Sequence, residues 1–339
     1  MRLATYNIEW FDNLFARDGS LLLDQRWSRR RDVTRAQQLQ AVARVLQTLD
    51  ADAVMIIEAP DSSRRRNGVR ALEAFARHFG LRSDKALIGF ENHTQQEIAL
   101  LYDPQKLQPR HDPKGHETGK RGREDAPRFD GVFRYQPPGR TARLIRFSKP
   151  PLEVALRTAS GKGLRLIGVH VKSKAPHGAQ GRAALMRKAI ANRKKQVAQC
   201  IWLRMRVQQH LQAGQPVMVM GDFNDGPGLD EYEQLFGRSS VDIVLGEEPP
   251  RLFDPHAERV LSPHEGPKPT SARFYLPKQQ RYMSTLLDYI MVSPDLKALG
   301  PEWRIWHPFE DAQCQADQGL RQALLMASDH FPVSIDLEI

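Results

Sequence analysis

The sequence predicts an α/β protein in which helices cover mixed or antiparallel sheets. Along the 339 residues, helical spacing of apolar side chains alternates with short apolar runs typical of strands. Several of these runs follow one another with no helix between them, which argues against a doubly wound parallel sheet. With 40% hydrophobic residues, the chain is large enough to bury a sizeable core.

The first hundred residues contain three predicted strands and two predicted helices. Residues 3–8 form an apolar opening strand, and residues 32–49 carry the apolar spacing of a helix. A second buried strand follows at 53–57, and an amphipathic helix at 69–79. A third strand is predicted at 97–102, where an Asp-Pro pair ends it.

The rest of the chain is dominated by one long helix. It is predicted over residues 183–211, with Met186, Ile190, Val197 and Ile201 on one stripe, and Gly214 follows it as a stop signal. Strands are predicted at 151–156, 164–171, 217–220, 285–292 and 332–339. Residues 110–149 and 246–271 are rich in charged residues or proline, and we expect irregular insertions there within one domain of residues 1–339.

Composition excludes several classes of protein. No apolar run approaches the length of a membrane span, and the first residues lack the features of a secretory signal. Only Cys200 and Cys314 are present, which supports neither a disulfide framework nor a zinc cluster. We therefore expect a cytoplasmic protein. The oligomeric state stays open.

Charge is distributed unevenly along the chain. The net charge is +10, and residues 154–221 carry 13 basic side chains and no Asp or Glu. This stretch runs directly into Asp222, so positive potential is expected beside an acidic centre. A polyanionic substrate would be attracted there. The alternative, that these charges only keep the protein soluble, is equally compatible with the count.

Polar residues capable of chemistry stand at the ends of the apolar runs. Interior carboxylates are costly unless they meet a cation or a charge-assisted hydrogen bond, so these groups are expected to converge on one site. Carboxylate, amide and imidazole together suit a hard divalent cation and phosphate-ester chemistry. The residues are Asn7, Glu9, Glu58, His170, Asp222, Asn224, Asp288, Asp329 and His330.

Six motifs in a fixed order resemble the endonuclease/exonuclease/phosphatase superfamily, which is also called DNase I-like. They are ATYNIEW, VMIIEAP, IGVHVKSK, VMVMGDFND, LLDYIMVS and SDHFPV. The resemblance implies a four-layer α/β sandwich, with two mostly antiparallel sheets face to face and helices outside. It also implies cleavage of a phosphate ester by an in-line water, with Mg²⁺ or Mn²⁺ as cofactor.

The resemblance assigns a role to each of the central residues. Glu58 would be the principal metal ligand, and Asp222 would orient and deprotonate the attacking water. Asn224 would position that water or the phosphate oxygens, although GDFND taken alone also reads as a turn. His330 would donate to a phosphoryl oxygen while Asp288 fixes its ring.

The remaining residues are expected to support this centre. Asn7 would orient Asp222, Glu9 would be a further metal ligand, and Asp329 would be a further acidic contributor to the metal or to His330. His170 would be a second donor or a general acid, the alternative being a satisfied core histidine. Lys172 and Lys174 would meet phosphate, unless they are ordinary exposed lysines.

Departures from individual branches leave the substrate open. Ile57 stands where apurinic endonucleases usually carry Gln, and His170 stands where they carry a Tyr-containing motif. The basic segments favour a nucleic-acid endonuclease or exonuclease. The alternatives are a sphingomyelinase- or inositol-phosphatase-like hydrolase, and an inactive binding protein that has kept the fold.

Overall fold

The computed structural model describes residues 1–63, 66–91, 96–137, 139, 141–176, 178–226, 239–262, 266–277 and 279–339. The strands are β1 (Arg2–Asn7), β2 (Ala53–Pro60), β3 (Lys85–Ile88), β4 (Gln96–Tyr102), β5 (Leu107–His111), β6 (Phe133–Tyr135), β7 (Arg143–Ile145), β8 (Leu152–Thr158), β9 (Gly163–His170), β10 (Val217–Asp222), β11 (Ala272–Leu276), β12 (Arg281–Thr285), β13 (Asp288–Val292), β14 (Glu302–Ile305) and β15 (Val333–Asp336). The helices are α1 (Arg35–Leu49), α2 (Gly68–His78), α3 (Arg182–Gln212), α4 (Ser240–Leu245), α5 (Pro255–Leu261), α6 (Pro294–Lys297), α7 (Ala312–Ala316) and α8 (Gln318–Ala327).

Within these ranges the strands form two large sheets and two short hairpins. The first sheet has the order β14-β15-β1-β2-β4-β3, and the second has the order β13-β10-β9-β8-β5. The pairs β1–β2 and β9–β10 are parallel, and the other described neighbours are antiparallel. The predicted α/β fold with mixed sheets is confirmed.

Apolar side chains divide into layers on either side of each sheet. Alternate residues such as Leu3, Met55, Leu166, Met220 and Ile290 fill the space between the two sheets. The outer face of the first sheet packs against α1, α2 and α8, and that of the second against α3, α4 and α5. The resulting order, helix–sheet–sheet–helix, is the predicted four-layer sandwich.

Helix α1 begins later than predicted because a capping box fixes its start. The Thr34 hydroxyl accepts from the backbone N–H of Gln37, and the Gln37 side chain accepts from the backbone N–H of Thr34. These two bonds satisfy N–H groups that would otherwise lack partners at the first turn. The sequence placed this start at residue 32, three positions before the first helical residue.

The segment predicted as one strand over residues 285–292 is in fact divided between two strands. Strand β12 pairs with β11 in a hairpin, whereas β13 joins the second large sheet beside β10. Between them, the hydroxyl of Ser271 accepts from the backbone N–H groups of Leu287 and Asp288. This side-chain contact replaces ladder hydrogen bonds and lets the chain change sheets.

The segment at 110–149 packs against the long helix through an aromatic cluster. The described residues there include the β6–β7 hairpin. Trp202 of α3 donates to Pro127 O at 2.8 Å, and its ring contacts Phe129, Phe133 and Phe147. In the second segment, 246–271, the described residues include α5.

Two further findings concern cysteine and membranes. Cys200 and Cys314 are both free and buried. In the part of the chain that the structure describes, no helix has the length and apolar character to cross a membrane.

Gly221 is required where β10 approaches β9 closely. Its φ is 138°, and a Cβ built there would lie 2.1 Å from the carbonyl oxygen of Val169. That oxygen belongs to the backbone of the neighbouring strand and cannot move aside without breaking the sheet. The glycine therefore allows β10 to deliver Asp222 beside His170.

Gly221→Ala should lower the free energy of unfolding by about 2 kcal/mol or more, because a methyl group there forces the two strands apart. Chemical denaturation followed by circular dichroism measures this. The matched control is Gly163→Ala in β9, whose new Cβ would approach nothing closer than Leu156 O at 3.9 Å. Equal stability of the two variants would contradict the close approach at Gly221.

Candidate active site

Four predicted site residues occupy inward positions at strand ends. Asn7 lies on the same face of β1 as Leu3, which points between the sheets. On the second sheet, Asp222 pairs with His170 of β9 on one side and with Asp288 of β13 on the other. Because both sheets face the same core, these four side chains meet at one edge of it.

Asp222 is held by donors from both sheets. Its side chain is buried, and its Oδ2 accepts from Asn7 Nδ2 at 3.1 Å and from Asn224 Nδ2 at 2.9 Å. The other oxygen, Oδ1, accepts from the backbone N–H of Asn224 at 2.7 Å. These bonds fix the orientation of the carboxylate, and the bond from Asn7 joins the two sheets.

A bulge in β2 turns Glu58 into the site. Regular alternation would place Glu58 on the helix-covered face with Ile56, but the register against β4 shifts between Ile57 and Ala59. Glu58 itself has a φ of 65°, an uncommon conformation for a residue other than glycine. Its Oε2 accepts from Gln96 Nε2 at 2.7 Å and from the backbone N–H of Trp10 at 3.3 Å.

The strand ends enclose a cavity of about 480 Å³. Of the predicted site residues, it is lined by Asn7, Glu9, Glu58, His170, Lys172, Asp222, Asn224, Asp329 and His330. The two others lie outside its wall. Asp288 is buried behind His330, and Lys174 pairs with Asp225 at 2.8 Å.

His330 and Asp288 form a buried ion pair. The Nδ1 of His330 lies 2.8 Å from Asp288 Oδ2, which also accepts from the hydroxyl of Ser271 at 2.7 Å. Burial disfavours the charged ring, but the nearby carboxylate outweighs it and raises the pKa of His330 well above its ordinary value. The ring is therefore an imidazolium at neutral pH. Its Nδ1 is bonded to Asp288, and its Nε2–H remains available to donate a hydrogen bond in the cavity.

Lys149 also lies in the cavity, although no motif or apolar pattern indicated it. Its Nζ is 2.9 Å from His170 Nδ1 and 3.9 Å from Glu58 Oε1. Burial, and then the charge of Lys149, lower the pKa of His170 well below its ordinary value, so this ring is neutral. Burial also lowers the pKa of Lys149, although Glu58 opposes the shift. The two imidazoles of the site thus have opposite charge states.

A cluster of acids on the wall fits a hard divalent cation. Burial raises the pKa of Glu9 to about 7 and also raises that of Glu58, and the charge of Asp329 adds to both shifts. Arg30 compensates part of this charge by pairing with Glu9. The buried Oδ1 of Asn7 has no hydrogen-bond donor among the described residues. Crowded carboxylates beside an amide oxygen are the ligands that Mg²⁺ prefers.

Asp222, Asp288 and His330 form a second group whose ligand atoms lie within 4.8 Å of one another. This closeness comes from the hydrogen bond between His330 and Asp288. An imidazolium has no free lone pair and cannot bind a metal. Free carboxylate oxygens that could hold a cation are therefore found among the acids around Glu58.

Helix α3 supports the loop that follows Asp222. Arg193 Nη1 donates to Asp225 Oδ2 at 2.6 Å, and both side chains are fully buried. The amide of Gln196 donates to Asn224 O at 3.1 Å. The charge of Arg193 is neutralised by Asp225. The acid-free stretch at 154–221 therefore contributes less positive potential at the surface than its composition indicates.

Comparison with known protein families agrees with the geometry of the site. The sequence matches the profile of the Endonuclease/Exonuclease/phosphatase family over residues 4–330. Among curated proteins, none matches the chain in sequence.

Solved structures share the fold at low sequence identity. TDP2 from Caenorhabditis elegans is 15% identical, with 99% of this chain and 73% of that chain covered and a TM-score of 0.50. An endonuclease/exonuclease/phosphatase family protein from Bacteroides thetaiotaomicron is 15% identical, covering 99% and 93% at a TM-score of 0.51. A D. rerio TDP2 humanized by 14 mutations is 12% identical, covering 100% and 99% at a TM-score of 0.50.

The His330–Asp288 pair predicts a specific pH dependence. Because the folded pKa of His330 is raised, the pair stabilises the fold fully below the unfolded value of about 6.5, and this contribution is lost as the pH rises through the folded pKa. Asp288→Asn should bring the pKa of His330 down, as followed by the ring nitrogen signals in NMR.

The control for this titration is Asp295→Asn, which makes the same chemical change at an exposed position. It should leave the signals of His330 unchanged. A wild-type His330 that loses its proton near pH 6.5 would show that the carboxylate does not hold the charge.

Proposed function

Because the chain belongs to the endonuclease/exonuclease/phosphatase family, we propose that it hydrolyses phosphodiester bonds of nucleic acid with the help of Mg²⁺ or Mn²⁺. Members of this family are hydrolases that act on phosphoester bonds. The observation that supports the proposal most is the contact between Asn7 and Asp222 in the same cavity as Glu58 and His330.

Glu58 is the proposed principal ligand of the cation. Asn7 Oδ1, Asp329 and Glu9 are the further oxygen donors on the same wall. A cation bound there supplies Lewis-acid stabilisation of negative charge on the phosphoryl oxygens. The bulge that turns Glu58 inward serves this purpose, since strain of this kind tends to occur at functional positions.

Asp222 is the proposed general base. Burial raises the pKa of its carboxyl to about 7, against the opposing charge of His330. A base with a pKa near the working pH can take a proton from water and release it again. Asn7 and Asn224 keep the carboxylate in one orientation, so a water bound to it is aimed along a fixed line at the phosphorus.

Cationic and neutral donors around Asp222 would stabilise the transition state. His330 offers a charged N–H to a non-bridging phosphoryl oxygen, because Asp288 occupies its other nitrogen. Lys149 and the neutral His170 stand on the opposite side, 2.9 Å apart. We assign protonation of the leaving oxygen to Lys149, since the one N–H of the neutral His170 ring can donate a hydrogen bond but is too weakly acidic to be released at neutral pH.

Positive groups at the cavity favour nucleic acid as the substrate. Lys172 lines it, and Arg29 stacks over Trp10 at the rim, 4.8 Å from the ring centroid. Phosphates on either side of the scissile bond would meet these charges. A sphingomyelinase- or inositol-phosphatase-like activity is the alternative, because a cavity of about 480 Å³ also accommodates a headgroup-sized phosphate ester.

That the chain is an inactive binding protein is the least favoured hypothesis. Glu58, Asp222 and His330 are costly to bury together, and strongly shifted pKa values of this kind cluster at functional sites. A protein that had lost activity would be expected to lose them first.

Asp222→Asn should lower turnover by two or more orders of magnitude, because the amide cannot accept the proton of the attacking water. The measurement is hydrolysis of DNA, RNA, sphingomyelin, inositol phosphates and bis-p-nitrophenyl phosphate in the presence of Mg²⁺. Near-normal turnover of the variant would show that Asp222 is only part of a turn and is not the general base.

Ionic strength separates the proposed substrates within the same panel. Cleavage of DNA or RNA should weaken steeply as salt rises, whereas a small ester should respond little. Turnover of sphingomyelin or an inositol phosphate alone would support the alternative activity. No turnover of any substrate by folded wild-type protein would favour the binding protein.

A further inference from the structure

A two-stranded hairpin projects from the edge of the active site. We call the described residues of β11, β12 and their connection, 272–277 and 279–285, the arm. Its base is bonded to the site, since Arg273 N donates to Asp329 O at 2.7 Å and Ala272 forms a bridge with His330. Four of the five residues in the second strand, Arg281–Ser284, are exposed. The arm therefore extends from the cavity into solvent.

Cationic and aromatic side chains are stacked along one face of the arm. The guanidinium of Arg31 lies 3.8 Å from the ring centroid of Tyr275, whose ring is 5.2 Å from that of Tyr282. On the far side, Arg273 lies 3.6 Å from the centroid of Tyr282 and 5.2 Å from that of Phe309. The register of the hairpin explains the row, because Tyr275 and Tyr282 are directly opposite each other.

Two rings of this row remain open to solvent. Tyr282 is 49% exposed and Phe309 is 44% exposed, although both are large aromatic residues. The base of the arm is already held by backbone hydrogen bonds, so packing within the arm does not account for such exposure. Exposed aromatic patches on a soluble protein commonly mark an interaction site.

The charge of the arm indicates a polyanionic partner. The arm contains two basic side chains, Arg273 and Arg281, and no carboxylate. Phe274, on the opposite face of the same strand, lines the cavity and lies edge-on to His330. The arm thus carries the row of rings and guanidinium groups on one face and a cavity-lining ring on the other.

Guanidinium groups and exposed rings together match the two parts of a nucleotide. Arginine pairs with phosphate, and an aromatic ring stacks on a base with little regard to sequence. In a double helix the faces of the bases are covered by their neighbours, so stacking on Tyr282 requires an unpaired strand. The observations favour this partner over a lipid surface, because guanidinium groups lie directly against the rings.

We propose that the arm binds single-stranded nucleic acid next to the cavity. Unpaired bases stack on Tyr282 and Phe309, and the phosphates between them pair with Arg273 and Arg31. This inference rests on the proposed function and narrows its substrate class to nucleic acid with an unpaired segment next to the scissile bond.

Binding of oligonucleotides tests the role of the arm. Fluorescence anisotropy with a labelled 12-nucleotide single strand and its duplex, without added divalent cation, should show tighter binding of the single strand. Tyr282→Ala should weaken that binding about tenfold, and Tyr282→Phe should largely retain it because the ring is kept. The matched control is Met283→Ala, whose side chain is 42% exposed on the opposite face and should change affinity less than twofold.

A wrong inference about binding by the arm and a wrong proposal of hydrolase activity would give different experimental results. Hydrolysis of bis-p-nitrophenyl phosphate should be the same in wild type and Tyr282→Ala, so absence of this turnover in wild type would count against the hydrolase itself. Unchanged oligonucleotide binding by Tyr282→Ala, or preference for the duplex, would overturn the inference. Binding of phosphatidylcholine–phosphatidylserine vesicles that depends on Tyr282, in place of oligonucleotide binding, would overturn it as well.

Discussion

The hydrogen bond from Asn7 to Asp222 joins the two sheets at the point where the site forms, and the other site contacts depend on it. A buried carboxylate needs donors, and Asp222 takes them from β1 in one sheet and from its own loop in the other. A slip of β10 by one residue would turn Asp222 towards the helices. The chemistry is therefore tied to one register of the sandwich.

Environment gives similar groups different protonation states around this contact. Burial raises the pKa of Asp222 towards neutrality, while the carboxylate of Asp288 keeps the buried His330 charged. His170 Nε2 lies 3.4 Å from Asp222 Oδ2, but burial and the charge of Lys149 lower the pKa of His170 and keep its ring neutral. A carboxyl group with a pKa near neutrality, a charged donor and a neutral donor therefore coexist within one cavity, the combination that the proposed phosphoester hydrolysis needs.

Much of the fold and part of the site follow from the sequence. Apolar runs of strand length located β1, β2, β9 and β10, and the acid inside the run at Asp288 correctly indicated a buried partner. The alternation of these strands also explains why Asn7, His170 and Asp222 share one face. What could not be predicted depends on register, on bulges and on exposed strands.

Lys149 and the arm show this limit. Lys149 reaches His170 only because β8 and β9 pair antiparallel, which places the residues before β8 beside the end of β9. Glu58 turns inward because of a bulge in β2, and no glycine in the sequence marks the position of that bulge. The strands of the arm carry little apolar alternation because they face solvent, so β11 could not be predicted from apolar periodicity.

The central claim is that Glu58 and its neighbours form a cation site that makes the cavity a hydrolase. The most direct test is turnover of bis-p-nitrophenyl phosphate during a Mg²⁺ titration of wild type and Glu58→Gln. We expect no turnover in EDTA, saturation with Mg²⁺ in wild type, and a tenfold or greater increase in the Mg²⁺ concentration that the variant needs. Turnover that persists in EDTA, or identical Mg²⁺ dependence of the two proteins, would contradict the claim.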